Sequence, residues 1–155
     1  MDDPCTIRPA VPDEAHHLTD IALRSKSHWK YANTVIEASR TTLTISTEDI
    51  TSRPFFVLEV ENGIAGFYGL SNLADGAVDL EYLYIDPNFI GIGYGKLLWQ
   101  HAIDQAKLLG FEEMFIDSEP GAEEFYRAMG AVRIGQSTSP VQPGQLLPLL
   151  QFSLR

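Results

Sequence analysis

The chain has a single cysteine, Cys5, so it has no intrachain disulfide and folds without that kind of staple. It has no apolar run near the ~20 residues of a membrane-spanning helix. Basic residues are scarce: 11 Lys and Arg stand against 21 Asp and Glu, a formal net charge of −10. That balance argues against nucleic acid or an anionic membrane as a partner. The opening Met1-Asp2-Asp3-Pro4 is acidic and has no secretory signal pattern, so a cytoplasmic, reduced setting is the expectation. His16 and His17 are expected at a helix surface, and no ligand pair with suitable spacing accompanies them, so no metal is expected.

What is present is the make-up of a globular protein, 45% hydrophobic and 21% charged over 155 residues. One domain spanning 1–155 is expected, with no internal repeat or linker. Its organising stretch is Tyr82 to Lys96, Y-L-Y-I-D-P-N-F-I-G-I-G-Y-G-K. An apolar strand ends at Asp86-Pro87, glycines follow at Gly91, Gly93 and Gly95, and a helical pattern starts at Lys96. A strand, a glycine-rich turn and a helix start together turn several backbone N–H groups toward one point, where the helix adds partial positive charge. This is a place to hold phosphates.

Around it the remaining elements can be read from periodicity. Thr6 to Ala10 is a short strand, and a helix follows from Pro12 to Ser25 with Ala15, Leu18, Ile21 and Ala22 on its apolar face. A second short helix is expected over Asn33 to Ser39, and a helical turn at Thr47-Glu48-Asp49. Pro54 to Val60, Ile64 to Leu70 and Val78 to Ile85 form a meander, with turns at Asn62-Gly63 and at Asn72 to Gly76. A long helix runs to Leu109 and stops at Gly110. Then come a strand at Met114 to Asp117, a helix at Ala122 to Met129, and closing strands at Ala131 to Gly135 and Leu146 to Leu154, separated by a loop from Ser137 to Gln145.

The order strand, P-x-x-x-G-x-G-x-G-K, amphipathic helix, strand, then F-Y-x-x-x-G at Phe125 to Gly130 resembles the GNAT superfamily of N-acetyltransferases. The resemblance implies an α/β fold (α+β in some schemes) with a mixed, mainly antiparallel central sheet and helices on both faces. It implies acetyl-coenzyme A as co-substrate, a primary amine of a small molecule or peptide as acceptor, and direct attack within a ternary complex. Homodimers are common in the family, and no sequence feature here bears on that. The donor-binding residues implied are Leu83, Tyr84 and Ile85 on the strand, Ile90, Gly91, Ile92, Gly93, Tyr94, Gly95 and Lys96 in the loop, and Phe125 and Tyr126. The chain departs from the family pattern twice. Ile90 stands where Arg or Gln is usual, and Gly121 where Asn is frequent.

Acetyl transfer requires that the amine lose its proton and that the leaving thiolate gain one. By the resemblance Tyr126 is the general acid, and a phenol is protonated at neutral pH. Glu81 is the candidate general base, taken by strand alternation to share a face with Asp79, Leu83 and Ile85. It can equally be read as the partner of a basic residue such as Arg8 or Lys30. His28, Trp29 and Tyr31 follow the first helix, where the family borders its acceptor pocket, and they read equally well as packing residues. Lys96 has a plain reading too, as a solvated helix lysine. A dinucleotide-binding fold is excluded because its third glycine would fall at Lys96, and G-x-x-x-x-G-K-[ST] is absent. A coenzyme A sensor that does not turn over is the remaining alternative.

Overall fold

The structure is a computed structural model, and it describes residues 5–28, 43–61, 63–139 and 144–155. Seven strands form one sheet in the order β1-β2-β3-β4-β5-β7-β6. They are β1 Cys5–Pro9, β2 Phe55–Val60, β3 Gly63–Ala74, β4 Ala77–Ile85, β5 Glu113–Asp117, β6 Val132–Thr138 and β7 Leu146–Ser153. Every neighbouring pair is antiparallel except β4 and β5. The sheet is therefore mixed and mainly antiparallel, as expected.

Helices cover both faces because their apolar stripes match the sheet. Helix α1, Ala15–His28, sets Leu18, Ile21 and Ala22 against Val57, Ile64, Phe67 and Tyr82. A short 3-10 turn, Pro12–Glu14, leads into it. The Val11 N–H donates to Glu14 Oε1 at 2.9 Å, so Glu14 reaches back over the turn although Val11 brings no capping oxygen of its own. Helix α2, Thr47–Ser52, starts on a capping box between Ser46 and Asp49. On the opposite face lies α3, Tyr94–Leu108, whose Leu98, Trp99 and Ala102 pack with Leu58, Leu80, Met114 and Leu150. Helix α4, Glu123–Ala128, adds Tyr126 to that same core.

Element order and type follow the sequence reading, with bounds shifted by a few residues. β3 runs on to Ala74, which confines the expected Asn72 to Gly76 turn to its last two residues. β6 extends to Thr138, into the segment expected as loop. The helix expected over Asn33 to Ser39 lies outside the described residues.

One expectation fails in an instructive way. Tyr82 pairs with Gly69 and Leu80 with Leu70, so Glu81 is an extra residue with no partner in the ladder. This β-bulge shifts the strand's alternation by one. Val78 and Leu80 face the α3 core before it, and Leu83 and Ile85 face the same core after it, while Tyr82 and Tyr84 pack toward α1. Glu81 therefore does not share a simple alternating face with Leu83 and Ile85.

Candidate active site

The site opens where the sheet divides. β4 and β5 pair in parallel only from Ala77 to Asp79 against Glu113 to Phe115. Beyond that point β4 stays with β3, and β5 stays with β7. The stretch of β4 from Leu80 to Ile85 is left without a strand partner on the β5 side among the described residues. A cavity of about 380 Å³ fills the gap. Leu80, Glu81, Leu83, Tyr84 and Ile85 line it from β4, and Ile116 and Asp117 line it from β5.

The glycine loop forms one end. Asp86 begins it, and its Oδ1 accepts from the Asn88 amide at 3.0 Å to start a 3-10 turn over Pro87–Phe89. Arg24 of α1 reaches the buried Asp86 carboxylate, Nη2 to Oδ2, at 2.8 Å. Burial alone would raise the Asp86 carboxyl, but the Arg24 guanidinium and the Asn88 amide override it and hold it below the usual carboxylate range. Gly91 and Gly93 have φ of +90° and +101°, where a side chain is strained, and a Cβ on either would project into open space. Gly93 is the cap of α3 and makes no side-chain cap hydrogen bond. Leu97 is the first amide to bond back, to Gly93 O at 3.4 Å, so the N–H groups of Gly95 and Lys96 point out of the helix end. Gly95 sits where a Cβ would lie 3.4 Å from the Phe125 ring, so loop and α4 are in close contact.

Tyr126 is 7% exposed, lines the cavity, and sets its ring 5.7 Å from Trp99, tilted, and 5.2 Å from Phe125, edge to face. Burial, and then the charge of Glu119, push its hydroxyl up, so it keeps its proton throughout the physiological range. Glu81 also lines the cavity, and Arg53 Nη1 lies 3.1 Å from its Oε2. Arg53 is fixed in turn by Asp49 at 3.1 Å and by the Phe55 ring at 5.5 Å. Among the described residues the basic partner of Glu81 is thus Arg53, not Arg8, which is held by Glu14 and Glu59, and Lys30 lies outside them.

Most of the loop and strand residues singled out from sequence come together here: Leu83, Tyr84, Ile85, Ile90, Gly91, Gly93, Tyr94, Gly95, Lys96, Phe125, Tyr126 and Glu81 all line one cavity. Ile92 does not, and is 58% exposed. Its side chain occupies the odd position between two left-handed glycines and turns to solvent. Trp29 and Tyr31 lie outside the described residues. His28 is the last residue of α1, and its side chain lies outside them as well. Ser25, Lys26 and Glu119, which sequence reading covers only as parts of longer segments, also line the cavity. For Ser25 and Lys26 a signal existed, since they continue the α1 stripe three and four residues beyond Ala22. Among the described residues no cluster of three His, Cys, Asp or Glu side chains could hold a metal ion.

Comparison with known proteins identifies the family. The model of the acetyltransferase (GNAT) family matches residues 18–131, more than half of the chain, and the chain belongs to that family. No curated protein matches it in sequence. Among solved structures it is similar to a GCN5-related N-acetyltransferase from Rhodopseudomonas palustris, at TM-score 0.82 and 18% identity over 99% of this chain and 98% of that one. It is similar to the PaiA N-acetyltransferase from Thermoplasma acidophilum in complex with coenzyme A, at TM-score 0.79 and 19% identity over 97% and 99%. It is also similar to YncA, a protein from Salmonella typhimurium described as an acetyltransferase with its cofactor acetyl-coenzyme A, at TM-score 0.70 and 20% identity over 98% and 95%. At these identities the likeness is one of fold.

Proposed function

We propose that this chain transfers the acetyl group of acetyl-coenzyme A to a primary amine of a small molecule or peptide, by direct attack with both substrates bound. The observation that carries the reading is the single cavity joining the glycine-capped end of α3, the edge of β4 that parts from β5, and Tyr126. The ligands of the Thermoplasma and Salmonella proteins support the same donor here. So do Gly91 and Gly93, whose left-handed backbone disfavours a side chain and leaves the main chain open to close approach. When bound, acetyl-coenzyme A supplies an activated thioester.

The chain's own residues then have distinct tasks. The amides of Gly95 and Lys96, with the Lys96 ammonium, hold the pyrophosphate. The edge of β4 from Leu83 to Ile85 hydrogen-bonds the extended arm and stabilises negative charge developing on the carbonyl oxygen. Glu81, directly or through water, accepts the proton lost by the attacking amine as the new C–N bond forms. Tyr126 gives its proton to the sulfur as the C–S bond breaks, and burial suits it to that task by keeping it protonated until then.

The test is thiol release from acetyl-coenzyme A across a broad amine panel. Release that depends on one amine class is expected. Acetyl-coenzyme A binding without release from any amine would favour a sensor instead, a reading supported by Ile90 in place of a basic or amide side chain and by the Arg53 clamp on Glu81. Absence of binding in a calorimetric titration would overturn both.

A further inference from the structure

We propose that Arg53 is the positioning residue for proton removal: it holds the Glu81 carboxylate in the orientation from which it takes the proton of the attacking amine. The proposal rests on the acetyl-transfer reading above, with Glu81 as its base. Glu81 needs such a device. It is the extra residue of the β4 bulge, so no residue of β3 stands opposite it. Its neighbours are anchored. Leu80 lies in the core beneath α3, and the Tyr82 ring sits 5.7 Å from Phe55 and 6.2 Å from Phe67 on the α1 side. The backbone at Glu81 is therefore fixed, while its long side chain, 35% exposed, has rotamer freedom that some contact must remove.

Arg53 supplies that contact and is itself held from several directions. It is the C-cap of α2, where its backbone N–H donates to Asp49 O at 3.0 Å. Its guanidinium lies over the Phe55 ring at 5.5 Å. Nη2 pairs with Asp49 Oδ1 and Nη1 with Glu81 Oε2, each at 3.1 Å. Asp49 Oδ2 accepts in turn from the Ser46 N–H at 3.0 Å. A line of bonds thus runs from the start of α2 to Glu81, and the planar guanidinium fixes direction as well as distance. The ion pair leaves the base usable. An ionised carboxylate has roughly four acceptor positions, and the Arg53 contact is made at Oε2. α2 seats Ile50 in the core under α1, so Arg53 reaches Glu81 from that side of the sheet. Tyr126 belongs to the core beneath α3, on the other side. Both Glu81 and Tyr126 line the cavity where β4 parts from β5. Proton acceptor and proton donor are held from opposite faces, which suits a reaction that removes one proton from the entering nitrogen and delivers one to the departing sulfur.

The experiment is a double-mutant cycle on thiol release, run with the most active amine of the panel. It uses the natural chain, Arg53→Met, Glu81→Gln and the two together, each with a calorimetric Kd for acetyl-coenzyme A and a thermal midpoint. Arg53→Met should lower kcat by about 10- to 100-fold, the effect of a reacting group about 1 Å out of place, with that Kd unchanged. In Glu81→Gln, already slow, adding Arg53→Met should lower kcat by less than about twofold, because no base is left to position. Where Arg53→Met fails to fold, Arg53→Lys carries the same cycle. Its point charge cannot hold both carboxylates as a fork does, so kcat should fall several-fold, again only with Glu81 present. An equal loss in both backgrounds would mean that Arg53 serves the fold alone. That result overturns the proposal, as would a kcat that Arg53→Met leaves unchanged. Full kcat in Glu81→Gln would overturn it too, by removing the base while leaving acetyl transfer in place. A natural chain that releases no thiol with any amine would instead sink the acetyl-transfer reading, and the role of Arg53 with it.

Discussion

The two ends of the cavity are built from different materials. At the glycine loop the wall is main chain, shaped by Gly91 and Gly93 at positive φ and by the start of α3. Elsewhere the lining carries charged side chains, each with a partner: Glu81 with Arg53, Lys26 with Glu119, Asp117 with Ser137. Amides cannot be exchanged by mutation, so the first end is fixed by backbone shape and fits one unvarying chemical feature. Side chains can be exchanged one at a time, so the second end can be retuned while the fold stays as it is. A donor common to a family and an acceptor that differs among its members are what such a division suits.

The strongest way to break this comparison is at the backbone end. Gly93→Val should abolish detectable acetyl-coenzyme A binding in calorimetry, because a branched side chain would project into the open approach. It should also cost roughly 1–2 kcal/mol of stability, since a left-handed residue other than glycine is strained. Undiminished binding would remove the glycine loop from the site. Next, Tyr126→Phe should lower kcat by about 10²- to 10⁴-fold, the usual worth of a general acid, with the calorimetric Kd for acetyl-coenzyme A nearly unchanged. Equal kcat in the two proteins would leave Tyr126 a core residue only.

These two predictions also mark what the sequence could tell. Gly91, Gly93 and Gly95 are legible because left-handed backbone and close ring contact admit little else, and α3 is legible from its four-residue apolar spacing. The bulge at Glu81 is not. Leu80-Glu81-Tyr82-Leu83 reads as ordinary alternation, and the extra residue is decided by how β3 pairs with β4, a tertiary fact. The Arg53 partnership is hidden for the same reason, since 28 residues separate Arg53 from Glu81. Lys26 falls between these cases: its place on the α1 stripe is visible, but a lysine ordinarily reaches water, and its burial depends on Glu119, distant in the chain.

A smaller effect tests the join between the two ends. Asp86 starts the glycine loop and depends on Arg24 of α1. Arg24→Met should destabilise the fold by roughly 1–3 kcal/mol at neutral pH, less than a fully buried pair would lose because Arg24 is 40% exposed. The Asp86 carboxyl is held below its ordinary value, so its contribution is complete above the unfolded pKa of about 3.9 and is lost as pH falls through the lower folded value. The gap between variant and natural chain should therefore narrow in denaturant titrations below about pH 4. A constant gap would show that the guanidinium acts by packing alone. The smallest effect belongs far from the cavity: Ser46→Ala removes the cap of α2 and should cost about 0.5–2 kcal/mol in the same titrations. A cost near zero would mean that Asp49 carries the helix start by itself.

The short parallel seam between β4 and β5 has a mechanical meaning. Three residue pairs, with the Glu112 and Glu113 amides donating to Gly76 O at 2.8 and 2.9 Å, carry the hydrogen-bonded continuity between a four-strand half and a three-strand half. The halves are joined as well by the apolar core beneath α3, which runs from Leu58 and Leu80 across to Met114 and Leu150. The sheet is thus two plates glued along one edge more by oil than by ladder. Oil-like cohesion weakens on cooling while hydrogen-bonded ladders do not share that dependence. Native-state hydrogen exchange near 0 °C should find amides of β5 and β7 opening together, ahead of β2 and β3, and a ligand that bridges the plates should close that difference.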